Sequence, residues 1–227
     1  MEKSRKERSE EFLQGERVKI NPGLPEFMSE AEAQLRSPEE ALRRCLCAFF
    51  AAGIAIDVMN GESGKESAEF FRTMLSRFDI EGCLTADEKE LFALSENGSQ
   101  VSMEKANNMQ WRMEMCMPIF WAYGICEDDL PFPSEMTDTT DMIKLINSCP
   151  DLGEIMKLVK PRPLGEILDN ADVCYRMHWA CVEARIHKRP ELCGGLSEDV
   201  VYEQHKGFLW LLGDEAAETW DDISADT

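Results

Sequence analysis

The sequence predicts an all-α protein, a single-domain multi-helix bundle with a short extended arm near its N terminus. Apolar side chains recur every three or four residues along the longer segments, and helix-starting signals precede several of them. No hairpin signal accompanies the one extended segment. We therefore expect one helical domain over residues 1–227, with a helix and arm in 1–36, a helical core in 37–212 and an acidic tail in 213–227.

The first two elements are a charged helix and the extended arm. Charges alternate from Lys3 to Gln14, which is typical of a solvated helix, and Gly15 is a natural stop for it. Val18, Ile20 and Leu24-Pro25 then predict an arm that lies across the surface of the domain.

The helix after the arm has a clear start signal. Ser37 supplies an N-cap hydroxyl, Pro38 suits the first helical position, and Glu40 stands at the third. We expect this helix to end near Met59, because Asn60-Gly61 follows. The apolar residues that should form its buried face are Leu42, Leu46, Phe49, Phe50, Ala52 and Ile56.

Three more helices are predicted before residue 124. One runs from Lys65 to about Phe78, and a capping box of Thr85 and Glu88 opens a short one. A methionine-rich helix from Ser102 to Tyr123 should kink near Pro118. It is interpreted as a core helix, with an adaptable binding groove as the alternative. The apolar face of the first of these helices should comprise Phe70, Phe71, Met74, Leu75 and Phe78.

A loop is predicted at residues 127–133, and four helices follow it. Two short ones are expected over Thr140 to Asn147 and Asp151 to Val159, and two longer ones over Leu164 to Lys188 and Glu198 to Leu212. We expect the rest of the domain to pack around the last two.

These last two helices each bring one histidine toward the core. His178, together with Arg185, falls within the apolar arc of its helix, and His205 lies near the middle of the next one. Asp172 and Arg176, four residues apart, form a favourable pair in the predicted polar stripe of the first helix. That stripe consists of Asp169, Asp172, Arg176, Glu183 and His187.

The net charge of -20 disfavours nucleic acid and anionic membranes as partners and favours a basic protein or a cation. Acidic residues are dense from Glu191 to the C terminus, where Lys206 is the single basic residue. The alternative interpretation is that this charge serves solubility alone.

The nine cysteines are interpreted as reduced thiols of a cytoplasmic protein. Their number is odd, no C-x-x-C spacing occurs, and the charged start of the chain has no apolar signal core. No stretch approaches eighteen uninterrupted apolar residues, so no membrane span is expected.

Two C-terminal motifs carry a family resemblance. They are the run from Tyr175 to Ala180, YRMHWA, and the run from Trp220 to Thr227, WDDISADT. Together with Trp111-Arg112 and Glu114 upstream, they resemble an uncharacterised bacterial family, the domain of unknown function 4272. The resemblance covers most of the chain and implies one helical domain. It implies no activity and no catalytic residue.

The residues of these motifs and their neighbours define a candidate functional cluster: Asp172, Tyr175, Arg176, His178, Trp179, His205, Asp221 and Asp222. Acid/base or nucleophilic chemistry is one reading of the cluster. Against it, the sequence has no nucleophile elbow, no phosphate-binding loop and no dinucleotide fingerprint. We therefore expect no catalytic residue and no cofactor, and keep an enzyme as the alternative.

A metal site is a second alternative for the same region. Cys174, His178 and Cys181 share one helix face, and His205 could complete a tetrahedron suited to zinc. Buried free cysteines and hydrogen-bonded core histidines are the competing interpretation.

The tail carboxylates of Asp221, Asp222 and Asp226 could bind a hard cation. We favour a clasp instead, in which they pair with Arg176, Arg185 or Arg43 and hold the tail on the domain. By elimination, the sequence predicts a cytoplasmic protein-binding or regulatory domain, with a basic protein as the favoured partner. The alternative is an uncharacterised enzyme or metal-binding protein that uses the His178/His205 region.

Overall fold

The computed structural model describes residues 3–126, 130, 132–213 and 219–227. These residues form ten α-helices and no strand, which confirms the all-α fold class. The helices are α1 Arg5–Gly15, α2 Pro38–Met59, α3 Gly64–Phe78, α4 Ala86–Glu96, α5 Met103–Gln110, α6 Arg112–Ala122, α7 Thr140–Ser148, α8 Leu152–Leu158, α9 Leu164–His187 and α10 Glu198–Leu212.

Side-chain caps set several helix starts where the sequence predicts them. The Ser37 hydroxyl accepts a hydrogen bond from the Glu40 amide at the start of α2. Thr85 and Glu88 form a complete capping box on α4. Each such cap satisfies amides that the first helical turn leaves unpaired, and this is why the short polar motifs locate the helices well.

The packing centre differs from the prediction. The helix α2 is buried along most of its length and packs against α3, α5 and α6. In turn α6 packs on α10, α10 on α9, and α9 on α1. The helix α9 therefore lies in the outer half of this series. Composition explains this order, since α2 is apolar nearly all round whereas α9 carries charges along its length.

The predicted helix from Ser102 to Tyr123 is two helices. It breaks at Trp111, and Pro118 lies inside α6 without ending it. The break lets α5 pack on α2 while α6 lies between α2 and α10. The prediction of one continuous helix was therefore wrong, because the segment divides at Trp111, seven residues before Pro118.

The extended arm lies across the domain as predicted, in residues 16–36. Its amides donate to neighbouring backbone at both ends: Lys19 to the Leu192 carbonyl at 2.8 Å, and Gln34 to the Leu212 carbonyl at 2.8 Å. The arm thereby connects α1 to α2 over the surfaces of α9 and α10.

Most of the loop predicted at residues 127–133 lies outside the described residues, as do residues 214–218 of the tail. Within the described ranges, no helix is long and apolar enough to cross a membrane.

Candidate functional site

The pair Asp172 and Arg176 is buried inside the domain. Arg176 Nε donates to Asp172 Oδ2 at 2.8 Å, and Nη2 donates to Oδ1 at 3.1 Å. The side chains are 0% and 2% exposed. The predicted pairing of Asp172 with Arg176 is confirmed. The polar stripe is buried at this point because the arm covers this side of α9.

The arm is attached through this pair. The Phe27 amide donates to Asp172 Oδ1 at 2.8 Å, and Arg176 Nη2 donates to the Pro25 carbonyl at 2.8 Å. Glu10 of α1 lies 3.5 Å from Arg176 Nη1. All three of these partners belong to the arm or to α1, so the pair is a fastening between α9, the arm and α1.

The two histidines, each predicted to point toward the core, meet directly. His178 Nδ1 lies 3.0 Å from His205 Nδ1, and the side chains are buried. The rings of Phe27 and Tyr175 pack against His205, and the ring of Tyr202 packs against His178. The contact joins α9 to α10 within an aromatic shell.

Burial lowers the pKa of both imidazoles and so favours their neutral forms at neutral pH. It lowers the pKa of His205 to about 3, with a smaller contribution from His178. Burial also lowers the pKa of His178, and Arg185 acts in the same direction while Glu198 and Asp226 oppose it. One Nδ1 must donate and the other accept, so a single proton lies between the rings. A base of such low pKa is poorly suited to proton transfer at neutral pH.

His205 Nε2 is the one unusual atom of this pair. It is buried and has no hydrogen-bond partner among the residues that the structure describes. A buried polar atom without a partner costs free energy in either tautomer. The unpartnered Nε2 is the observation that most favours a catalytic or metal-binding role for the histidine pair.

The metal set considered above is not assembled. The Cys174 thiol contacts the Val201 carbonyl at 3.7 Å, and His178 contacts His205. No group of three His, Cys, Asp or Glu side chains that could hold a metal ion occurs among the described residues. Burial raises the pKa of the Cys174 thiol and raises that of Cys181 to about 12, which disfavours the thiolate needed for zinc.

Two aromatic members of the cluster have packing partners. Tyr175 lies between Phe27 and His205, with ring centroids 5.7 Å from each. Trp179 is partly exposed, and the Lys19 ammonium lies 5.4 Å from its ring centre. Both rings therefore help to hold the arm on α9.

The tail carboxylates belong to a different part of the molecule. Asp221 Oδ1 accepts from Arg112 Nη1 of α6 at 2.5 Å, and Arg112 holds Asp221 and also Asp87. Desolvation opposes the lowering of the Asp221 pKa, but the interactions with Arg112, Thr85 and the Asp87 amide together outweigh it. Asp222 accepts from the Thr219 hydroxyl at 2.6 Å. None of the three arginines proposed from the sequence is the partner of Asp221.

A stack of tryptophans and arginines completes this attachment. Trp220 packs edge-on against Trp210, with centroids 5.0 Å apart. Arg44 lies 5.3 Å from the Trp220 ring centre, and Arg36 lies 4.3 Å from that of Trp210. Arg44 also pairs with the fully buried Glu88. The tail is thus clasped between α2, α4, α6 and α10.

Sequence reasoning missed the buried carboxylate of Glu114. It accepts from the Thr137 amide at 2.6 Å and from Gln204 Nε2 at 3.2 Å, joining α6 to α10 and to the segment before α7. The available signal was a charged residue within the apolar run of α6, since such residues are buried only with partners.

Cavities occur away from the histidines. One of about 630 Å³ lies near Trp121 and Met142, and another of about 330 Å³ lies between α2, α3 and α7. Neither is lined by His178 or His205. The buried members of the candidate cluster, Asp172, Arg176, His178 and His205, therefore lie apart from both cavities.

The chain was compared with known families and structures. A family model described as Domain of unknown function (DUF4272) matches residues 5–223. The chain belongs to this family. No curated protein and no solved structure matches it significantly. Membership in DUF4272 confirms the resemblance carried by the YRMHWA and WDDISADT motifs, and the family description names no activity.

Proposed function

We propose that this DUF4272 protein is a cytoplasmic protein-binding or regulatory domain without catalytic activity, and that its partner is a basic protein. The observation that carries the proposal is the burial of four polar members of the candidate cluster. Asp172, Arg176, His178 and His205 are all buried, and the contacts described above join parts of this chain to one another. A catalytic group must contact its substrate, whereas these side chains contact other parts of the same chain.

Charge supports the nature of the partner. A net charge of -20 creates a negative potential that attracts cationic surfaces and repels phosphate backbones. The nine cysteines all lie in the described part of the chain and are free, which supports a reducing compartment.

The test is capture of partners from the cells that naturally produce the protein, followed by purification of each captured protein. Calorimetry at low and high salt then measures its affinity. We expect a basic partner whose affinity falls with rising ionic strength. Failure to obtain any purified partner with a salt-dependent affinity would overturn the proposal.

The second candidate function is an enzyme or metal-binding protein that uses the His178/His205 region, and the unpartnered Nε2 of His205 favours it. Its test compares wild type with a His178→Ala, His205→Ala double variant on ester, phosphate and nucleotide substrates. An activity that the double variant lacks while it remains folded would establish this candidate. Metal analysis of protein purified without chelator tests the metal-binding alternative. Zinc or iron near one equivalent per chain would support a metal site.

A further inference from the structure

An open apolar groove lies away from the histidine pair. Its floor is α2, and its walls are α3 and α7. It encloses about 330 Å³. The side chains at helical spacing that line it include Phe50 on α2, Phe70 and Met74 on α3, and Ile143 and Ile146 on α7.

Two of these apolar side chains face solvent. Phe70 is 52% exposed and Ile143 is 44% exposed, one on each wall. The sequence predicted Phe70 as part of a buried face, and this is wrong because nothing in the described part of the chain covers α3 there. Large exposed apolar side chains that share a groove are a feature of binding surfaces.

The floor of the groove is shaped by a glycine. A Cβ atom on Gly53 would lie 2.4 Å from the Phe71 ring, so only glycine lets that ring lie against α2. Phe71 in turn stacks on Phe50, with centroids 5.7 Å apart. The groove therefore has a packed aromatic floor in place before any partner arrives.

Charge around the groove is distributed unequally. Asp57 is the charged side chain in its lining and accepts from the Ser67 hydroxyl at 2.5 Å. Glu66 lies one turn before Phe70 on the same face of α3. The cation at the other end, Arg77, donates to the Ile146 carbonyl at 2.8 Å, which holds α3 to α7. The end near Asp57 is therefore acidic.

We infer that this groove, between α2, α3 and α7, is the docking site for an amphipathic helix of a basic partner. Its apolar residues would enter between Phe70 and Ile143, and its basic residues would lie at the Asp57 end. The inference rests on the proposed function and identifies the surface through which the partner would bind. Helical segments bind apolar grooves through side chains at i, i+3, i+4 and i+7. A second copy of this chain is a poor occupant, because two molecules of charge -20 repel each other.

The first test uses a synthetic peptide of about 18 residues in which leucine occupies one helix face and lysine the other. A scrambled peptide of the same composition is the control. In methyl NMR spectra, we expect the amphipathic peptide to shift Met74, Met113 and Ile146, which line the groove. Absence of these shifts would overturn the inference, as would equal shifts from the scrambled peptide.

The second test uses variants. Phe70→Ser with Ile143→Ser should weaken binding of the amphipathic peptide by about tenfold or more. Ile186→Ser, on α9, removes a side chain that is 63% exposed and should leave the affinity unchanged. Equal losses in both variants would overturn the inference. Two other results would also overturn the inference. In the first, decanoate shifts the same methyl signals while the peptide does not. In the second, the wild-type protein forms a dimer and the double variant is a monomer.

The native partner separates this inference from the proposed function. A purified basic partner that binds the double variant as tightly as wild type would overturn the groove assignment and leave the proposed function standing. A partner that loses about tenfold or more in affinity supports both.

Discussion

Two regions of this protein differ in a way that reverses what their residue types suggest. The region between α9, α10 and the arm holds the histidines and the Asp172/Arg176 pair, yet it is closed. The region between α2, α3 and α7 holds apolar side chains and one carboxylate, yet it is open to solvent. The histidines and the Asp172/Arg176 pair, which could take part in chemistry, are buried. Phe70 and Ile143, which are typical core residues, are exposed.

The difference teaches that accessibility, more than residue type, separates a structural polar cluster from a site. In the closed region, every contact described above is with the same chain, so mutation there should affect stability first. In the open region, the exposed side chains contribute little to folding, so mutation there should affect binding first. Four measurements test this contrast.

The largest effect is expected at Asp172. Replacing it with alanine leaves Arg176 buried without its carboxylate and removes the acceptor for the Phe27 amide. Breaking a buried pair from one side costs about 3–5 kcal/mol of unfolding free energy, which urea denaturation would measure. Asp169→Ala, on the same helix but partly exposed, should cost about 1 kcal/mol. Equal losses would show that the pair is not a fastening.

The C-terminal clasp should give the next largest effect. Deleting residues 220–227 removes the buried Trp220 and the Asp221 partner of Arg112. Loss of a buried tryptophan alone costs about 3 kcal/mol, so thermal unfolding should shift down by several degrees. Deleting only the exposed Asp226 and Thr227 is the control and should change little. An unchanged melting temperature in the longer deletion would rule out a clasp.

The histidine pair should make stability fall as the pH falls. An unfolded His205 takes up a proton below its ordinary pKa of 6.5, whereas the folded one stays neutral down to about pH 3. Its contribution is complete above pH 6.5 and declines below that value by up to about 1.4 kcal/mol per pH unit. His205→Gln should flatten the dependence of unfolding free energy on pH between about 6 and 4. The same slope in both proteins would mean that His205 is protonated in the fold.

The smallest effect on stability is expected in the groove. Phe70→Ser should change the unfolding free energy by about 0.5 kcal/mol or less, because half of the side chain is already in water. Phe78→Ala, on the same helix but 1% exposed, should cost about 3 kcal/mol or more. Guanidinium denaturation of the two variants side by side would measure this. A large loss at Phe70 would make the groove part of the core.

Local signals predicted much of this fold. The proline and N-cap before α2, the asparagine-glycine after it and the capping box of α4 predicted helix ends close to those observed, because caps act within a few residues. The placement of His178 and His205 toward the core was also anticipated, since each lies near the apolar side of its helix.

Long-range packing explains what the sequence could not predict. Periodicity placed Asp172 and Arg176 in a polar stripe, but it could not show that an arm about 150 residues away in the chain covers them. The same limit hid the pairing of Asp221 with Arg112 and the exposure of Phe70. In each case the deciding neighbour is distant in sequence, and helical spacing carries no information about it.

The most direct test of the central contrast is the affinity of one purified native partner for two variants, measured by calorimetry. The Phe70→Ser, Ile143→Ser double variant changes the open region, and His205→Gln changes the closed one. We predict a loss of about tenfold or more for the first and less than about twofold for the second. A loss confined to His205→Gln, with the groove variant binding as wild type, would contradict the account.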